Sequence, residues 1–199
     1  MKKFISIILS LSMLLCVAAM LASCDKDGDA ASTTTVATTP ATTTVVTTTV
    51  ATTAPIPDGY KLFANDDISF VYPDDWSKTD GSIVLLAHST GNPNITVSSE
   101  ELTDDYHTMT IQEFEEQVGA GYEQAGMALS NVTAETKTVN GLSVRIFEFN
   151  TEIISSGVDF VQSAYIFNVG EKTYSLALTE ITADSDLRAA FLNSIKAVD

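Results

Sequence analysis

Beyond residue 58, apolar and polar residues alternate with a period of two in several short stretches, each closed by turn residues. This is the spacing of half-buried β-strands. Residues 68–72 read as one strand, stopped by Pro73, and residues 83–88 as a second. A third, 94–100, follows the Gly91-Asn92-Pro93 turn. Segments 130–139 and 142–152 flank Asn140-Gly141, a strong hairpin signal. Segments 160–169 and 172–180 flank Gly170-Glu171, a second hairpin. Within 142–152 the apolar positions change parity, from Leu142, Val144 and Ile146 to Phe147 and Phe149. That predicts a strand covered on both faces, or a bulge.

Two segments keep a helical period instead. Thr110 and Glu113 form a capping-box pair, after which Ile111, Phe114, Val118 and Tyr122 share one face. A second helix starts near Asp184 and carries Leu187, Phe191 and Ile195. The element order predicts an α+β fold, an antiparallel sheet flanked by helices.

The run Ile68-Ser69-Phe70-Val71-Tyr72-Pro73-Asp74-Asp75-Trp76 resembles the opening of the PsbP-like fold: an aromatic strand, a Tyr-Pro turn, then a tryptophan. The order that follows over 60–199 is similar too, and the resemblance implies a PsbP-like α/β/α sandwich. The family includes bacterial lipoproteins of unsettled function, a photosystem II extrinsic subunit and a nuclear-transport factor that binds a small GTPase. It therefore implies binding and support rather than chemistry. None of those relatives' functional residues can be placed on this chain position by position, and fold alone does not carry function.

The pattern at the N-terminus is of another kind. Lys2 and Lys3 precede 18 uncharged, mostly apolar residues, 4–21. The run ends in Leu21-Ala22-Ser23-Cys24, with Asp25, Asp27 and Asp29 directly behind. That is a signal-peptide pattern. Leu21, Ala22, Ser23 and Cys24 resemble the lipobox read by lipoprotein signal peptidase, which implies removal of residues 1–23 and lipidation of Cys24. The expected product is anchored on the extracytoplasmic face of a cell membrane, of a Gram-positive cell given the stalk that follows. Two acyl chains at Cys24 suffice for stable attachment. With Cys16 in the removed segment, no disulfide can form in the processed chain.

Residues 24–57 read as a disordered tether. Thirteen of the 21 residues 33–53 are threonine, and the heptapeptide at 33–39 recurs at 47–53. This is low complexity without amphipathic period. About 30 residues at about 3.1 Å each reach on the order of 90 Å when extended. The acidic run 25–29 lacks the later glutamate and flanking helices of a calcium loop. Residues 58–199 remain as a single globular domain.

Charge narrows the choice of partner. The chain carries a net −16. Between Lys78 and Lys137 there is no Lys or Arg but there are 10 acidic residues. Such a surface repels nucleic acid and anionic lipid, and attracts a basic protein patch or divalent cations. Glu100, Glu101, Asp104 and Asp105 before the first helix, with Glu113, Glu115, Glu116 and Glu123 on it, form the candidate docking face; the plainer reading is a solubilising surface.

Candidate chemistry is sparse. There are two histidines, His88 beside Ser89 on a strand and His107 in a loop before the first helix. Neighbours on a strand face opposite ways, so His88 and Ser89 do not form a base–nucleophile pair locally. No Gly-x-Ser-x-Gly, His-Glu-x-x-His or glycine-rich phosphate loop occurs. Trp76 reads as a core anchor, and the sequons at Asn94 and Asn131 carry no weight in a bacterial lipoprotein. The expectation is a non-catalytic binding or accessory domain acting by protein–protein interaction, not an enzyme, with no cofactor and no bound metal. A small-ligand or divalent-cation-binding lipoprotein is the alternative, and a hydrolase the third.

Overall fold

The computed structural model describes residues 55–103 and 105–198. The lipobox, with Leu21, Ala22, Ser23 and Cys24, lies outside the described residues, as do Asp104 and the tether up to residue 54.

Among the described residues ten strands and three helices follow one another in the order β1 (Tyr60–Ala64), β2 (Ile68–Pro73), β3 (Ser77–Thr79), β4 (Val84–Ala87), β5 (Asn94–Glu101), α1 (Asp105–Thr108), α2 (Ile111–Gln124), β6 (Met127–Val139), β7 (Leu142–Ile153), β8 (Val158–Val169), β9 (Lys172–Glu180), α3 (Ser185–Ser194) and β10 (Lys196–Ala197). Seven strands form an antiparallel sheet ordered β3-β4-β5-β9-β8-β7-β6, and three form a small sheet ordered β1-β2-β10. The class is α+β, as the pattern predicts.

The large sheet is covered on both faces. On one, α3 and the small sheet bury Phe70, Trp76, Val144, Ile146, Tyr165, Leu176 and Phe191. Phe191 joins the layers, edge-on to Phe70 at 5.0 Å and to Tyr165 at 5.1 Å. On the other, α2 buries Phe114, Val118 and Tyr122 against Phe147, Phe149 and Phe160. Phe114 stacks on Phe147 at 4.2 Å. The parity change on β7 therefore marks a two-sided strand. The register shift belongs to its partner β6, between Ser130 and Thr133, where Asn131 takes φ 55°.

Local signals fix the joints. Thr110 caps α2: its Oγ1 accepts from Glu113 N–H at 3.2 Å, and Glu113 Oε2 accepts from Thr110 N–H at 2.9 Å. Asp184 Oδ1 caps α3 through Asp186 and Leu187 N–H. Asn140 and Gly141, at φ 47° and 85°, form the β6–β7 turn. Asn140 Nδ2 also donates to the carbonyls of Asn193 and Ile195, tying the turn to the end of α3. Lys61 Nζ donates to the carbonyls of Asp74 and Trp76, clamping the Tyr-Pro corner from β1.

Three expectations need correcting. The strand expected over 83–88 ends at Ala87, so His88 sits in the turn beyond it. His107, placed in a loop by its polar neighbours, belongs to the short helix α1. One face of the sheet is covered not by a helix alone but by α3 together with the small sheet.

Candidate functional site

The acidic residues do not form one uniform face. Glu100 and Glu101 are neighbours on β5 and point to opposite sides of the sheet. Glu100 is half-buried on the α2 side, where desolvation raises its pKa. Asp105 is exposed on α1. On α2, Glu113 is committed to the cap, accepting from Thr110 N–H and Oγ1. Glu115, Glu116 and Glu123 are exposed, with Glu116 accepting from Gln112 Nε2 at 2.9 Å. Arg145 reaches the residue before the helix cap from beneath. Its Nη2 donates to the Met109 carbonyl at 3.0 Å and its guanidinium lies over the Phe147 ring. Among the described residues no Lys, Arg or His forms a salt bridge with Glu115, Glu116 or Glu123.

The structure assembles one His-centred group that the sequence reading missed. His88 Nδ1 lies 2.8 Å from Thr90 Oγ1, and His88 Nε2 lies 3.7 Å from Asp75 Oδ2. No sequence spacing signals Asp75, which arrives from the corner after β2. The group is not a nucleophile–base pair. The Thr90 hydroxyl donates to the Asn92 carbonyl at 2.8 Å, and the Asp75 contact exceeds hydrogen-bond length. Ser89 is not part of it. His107 rests against the Tyr106 ring, centroids 3.9 Å apart.

A buried polar cluster under α2 and a half-buried one under α3 are structural. Under α2, Tyr122 OH donates to Gln162 Oε1 and Gln162 Nε2 to Thr151 Oγ1, each at 2.7 Å. Under α3, Arg188 donates to Glu180 at 2.6 Å and to Glu148 at 3.1 Å. A third group, on the sheet end beside β1–β2, joins Asp67 Oδ2 to Lys172 Nζ and Tyr174 OH, both 2.6 Å away. The two hydrogen bonds hold the Asp67 carboxyl below the usual carboxylate range. Among the described residues no three His, Cys, Asp or Glu side chains stand close enough to hold a metal ion. No described helix is long and apolar enough to cross a membrane.

No family model matches the sequence, and no curated protein matches it. Solved structures do. The solution structure of the cyanobacterial PsbP protein CyanoP from Synechocystis sp. PCC 6803 superposes with a TM-score of 0.55 at 15% identity. The match covers 75% of this chain and 99% of that one. The fold is PsbP-like. A crystal structure from Bacteroides thetaiotaomicron VPI-5482 is similar at 13% identity and TM-score 0.44, over 66% of this chain and 45% of that one. A Pseudomonas aeruginosa protein described as a putative regulator gives 15% identity and TM-score 0.34, over 65% and 87%. In the PsbP-like domain the Tyr72–Trp76 corner serves the core: Trp76 is 3% exposed and packs with Phe63 and Phe70.

Proposed function

We propose that this chain is an exported lipoprotein, anchored through Cys24, whose PsbP-like domain is a non-catalytic accessory module docking a basic protein. The observation that supports the docking reading is the exposed trio Glu115, Glu116 and Glu123 on a helix with no basic residue in its last turn. It lies in a stretch, 79–136, without Lys or Arg. Charge of one sign steers a partner of the other and sets association rate more than raw affinity.

The test is co-purification of the lipidated protein from membranes. Exposed charges are screened over about 8 Å at physiological ionic strength and over about 3 Å at 1 M. A partner held by this face is recovered at low salt and lost by about 0.5 M NaCl. Glu115→Gln, Glu116→Gln and Glu123→Gln together weaken recovery while the domain stays folded. Glu113 is left intact, because it holds the helix cap. Recovery indifferent to both salt and these changes would reduce the carboxylates to a solvated surface. The anchor is tested separately: Cys24→Ala abolishes palmitate labelling, and unchanged labelling rules the anchor out.

A further inference from the structure

Asn140 meets Gly141 at the tip of the β6–β7 hairpin, and this is the one Asn-Gly pair in the chain. The Asn140 amide is built into the fold. Its Nδ2 donates to the carbonyls of Asn193 and Ile195, each at 2.9 Å, one for each of its two protons. A single NH2 group therefore spans the end of α3 and the link into β10. The joint that it closes is otherwise lightly held. β10 is two residues long and pairs with Ser69 and Ile68. Ser194 Oγ accepts from Val71 N–H at 2.9 Å, and Val198 N–H donates to the Asp67 carbonyl at 2.9 Å. Beneath the joint, Val139 from the turn and Ile195 from the end of α3 enter the same apolar core.

The same pair carries a reaction. Glycine has no Cβ, so its amide nitrogen can close on the preceding side chain. Gly141 N attacks Asn140 Cγ and gives up its proton, the Cγ–Nδ2 bond breaks, and ammonia leaves. Water then opens the cyclic imide. The product is an aspartate at this position, or its isomer in which the main chain runs through the side-chain carboxyl carbon. One water is consumed and one ammonia released, with no other reactant. Asn140 and Gly141 are both exposed, so water reaches them.

The leaving atom is the nitrogen that holds the joint. While both hydrogen bonds stand, departure of ammonia must break them. Afterwards an oxygen stands where Nδ2 stood. An ionised carboxylate accepts and cannot donate, so it meets the Asn193 and Ile195 carbonyl oxygens with like partial charge. The joint cannot close again.

We infer that Asn140 is a one-way chemical latch. It is a deamidation site, protected while the end of α3 and β10 are docked on the β6–β7 turn and converted when that end of the domain opens. After conversion the C-terminal segment stays undocked.

The test uses the chain from residue 24, made soluble by Cys24→Ser, incubated at mildly alkaline pH and followed by peptide mass mapping. Position 140 should convert about tenfold or more slowly in the folded protein than in the same chain in urea, because two hydrogen bonds must be given up. Ser194→Ala removes the Val71 anchor and leaves the latch in place. It should speed conversion several-fold in the folded protein and leave the rate in urea unchanged. Asn140→Asp should raise amide hydrogen exchange at Val71, Ile195 and Val198 while protection across β7, β8 and β9 is kept. Equal conversion in folded and unfolded chains overturns the proposal. So does a folded Ser194→Ala chain that converts no faster than the unaltered one, or unchanged exchange in Asn140→Asp.

Discussion

Arg188 on α3 donates from Nε to Glu180 Oε2 on β9 at 2.6 Å, and the Glu180 side chain is only 2% exposed. The pair pins the helix to the sheet from its first turns, because the other Glu180 oxygen accepts from Asp184 N–H at the cap. Arg188→Met leaves Glu180 buried and uncompensated. Breaking one partner of a buried pair costs about 3–5 kcal/mol, whereas replacing both with apolar groups is far milder. Urea denaturation should show the single change to be more destabilising than Arg188→Met with Glu180→Leu.

The Asp67–Lys172–Tyr174 group gives the domain two pH limbs. Asp67 is held low by hydrogen bonds from Lys172 and Tyr174. Its share of stability is complete above the unfolded value of about 3.9 and is lost as pH falls through the lower folded value. Asp67→Asn should make the acid limb of stability shallower.

Burial and then the Asp67 hydrogen bond push Tyr174 up to about 12, and burial does the same for Tyr165. Their contributions are complete below about pH 10 and fade as pH rises to about 12. Phenolate absorbance should therefore show steps near pH 12 in the folded protein. Tyr174→Phe should remove one of them.

Ile146 and Phe147 are adjacent on β7 but belong to different cores, at 2% and 0% exposure. Each change to Ala should cost about 2–5 kcal/mol through the cavity it leaves. Because the side chains lie in separate clusters on opposite faces of the sheet, the double change should equal the sum within about 0.5 kcal/mol. A larger coupling in the double-mutant cycle would mean that the two cores relax together.

The α2 cap is independent of both cores. Thr110→Ala removes the acceptor for Glu113 N–H and should cost about 1 kcal/mol. Glu115→Gln, one turn position away and exposed, should leave the denaturation midpoint unchanged.

Much of this architecture was legible in the sequence because its signals are local. The Thr110–Glu113 pair, Asn140-Gly141 and the parity change on β7 each act within a few residues, and each sits where the pattern puts it. The elements that were missed have no local period. β1 and β3 are short, with exposed positions breaking their alternation. β10 is two residues long and exists through pairing with Ser69 and Ile68, far away in sequence. The same holds for the candidate site. A tally of carboxylates places Glu113 with Glu115 and Glu116, but only the cap geometry separates the one that is engaged from the two that are exposed. His88, Thr90 and Asp75 come together only through the fold.

The kink in β6 has a consequence for how copies of the protein meet. β6 is 13 residues long and forms an outer border of the large sheet. A straight border of that length is a template on which a second molecule could continue the sheet. The left-handed residue Asn131 and the register shift beside it break the border into two shorter lengths set at an angle. Neither offers a 13-residue uninterrupted run of free N–H and C=O groups to a neighbouring strand, and the exposed Glu135 and Lys137 add charge to the second length.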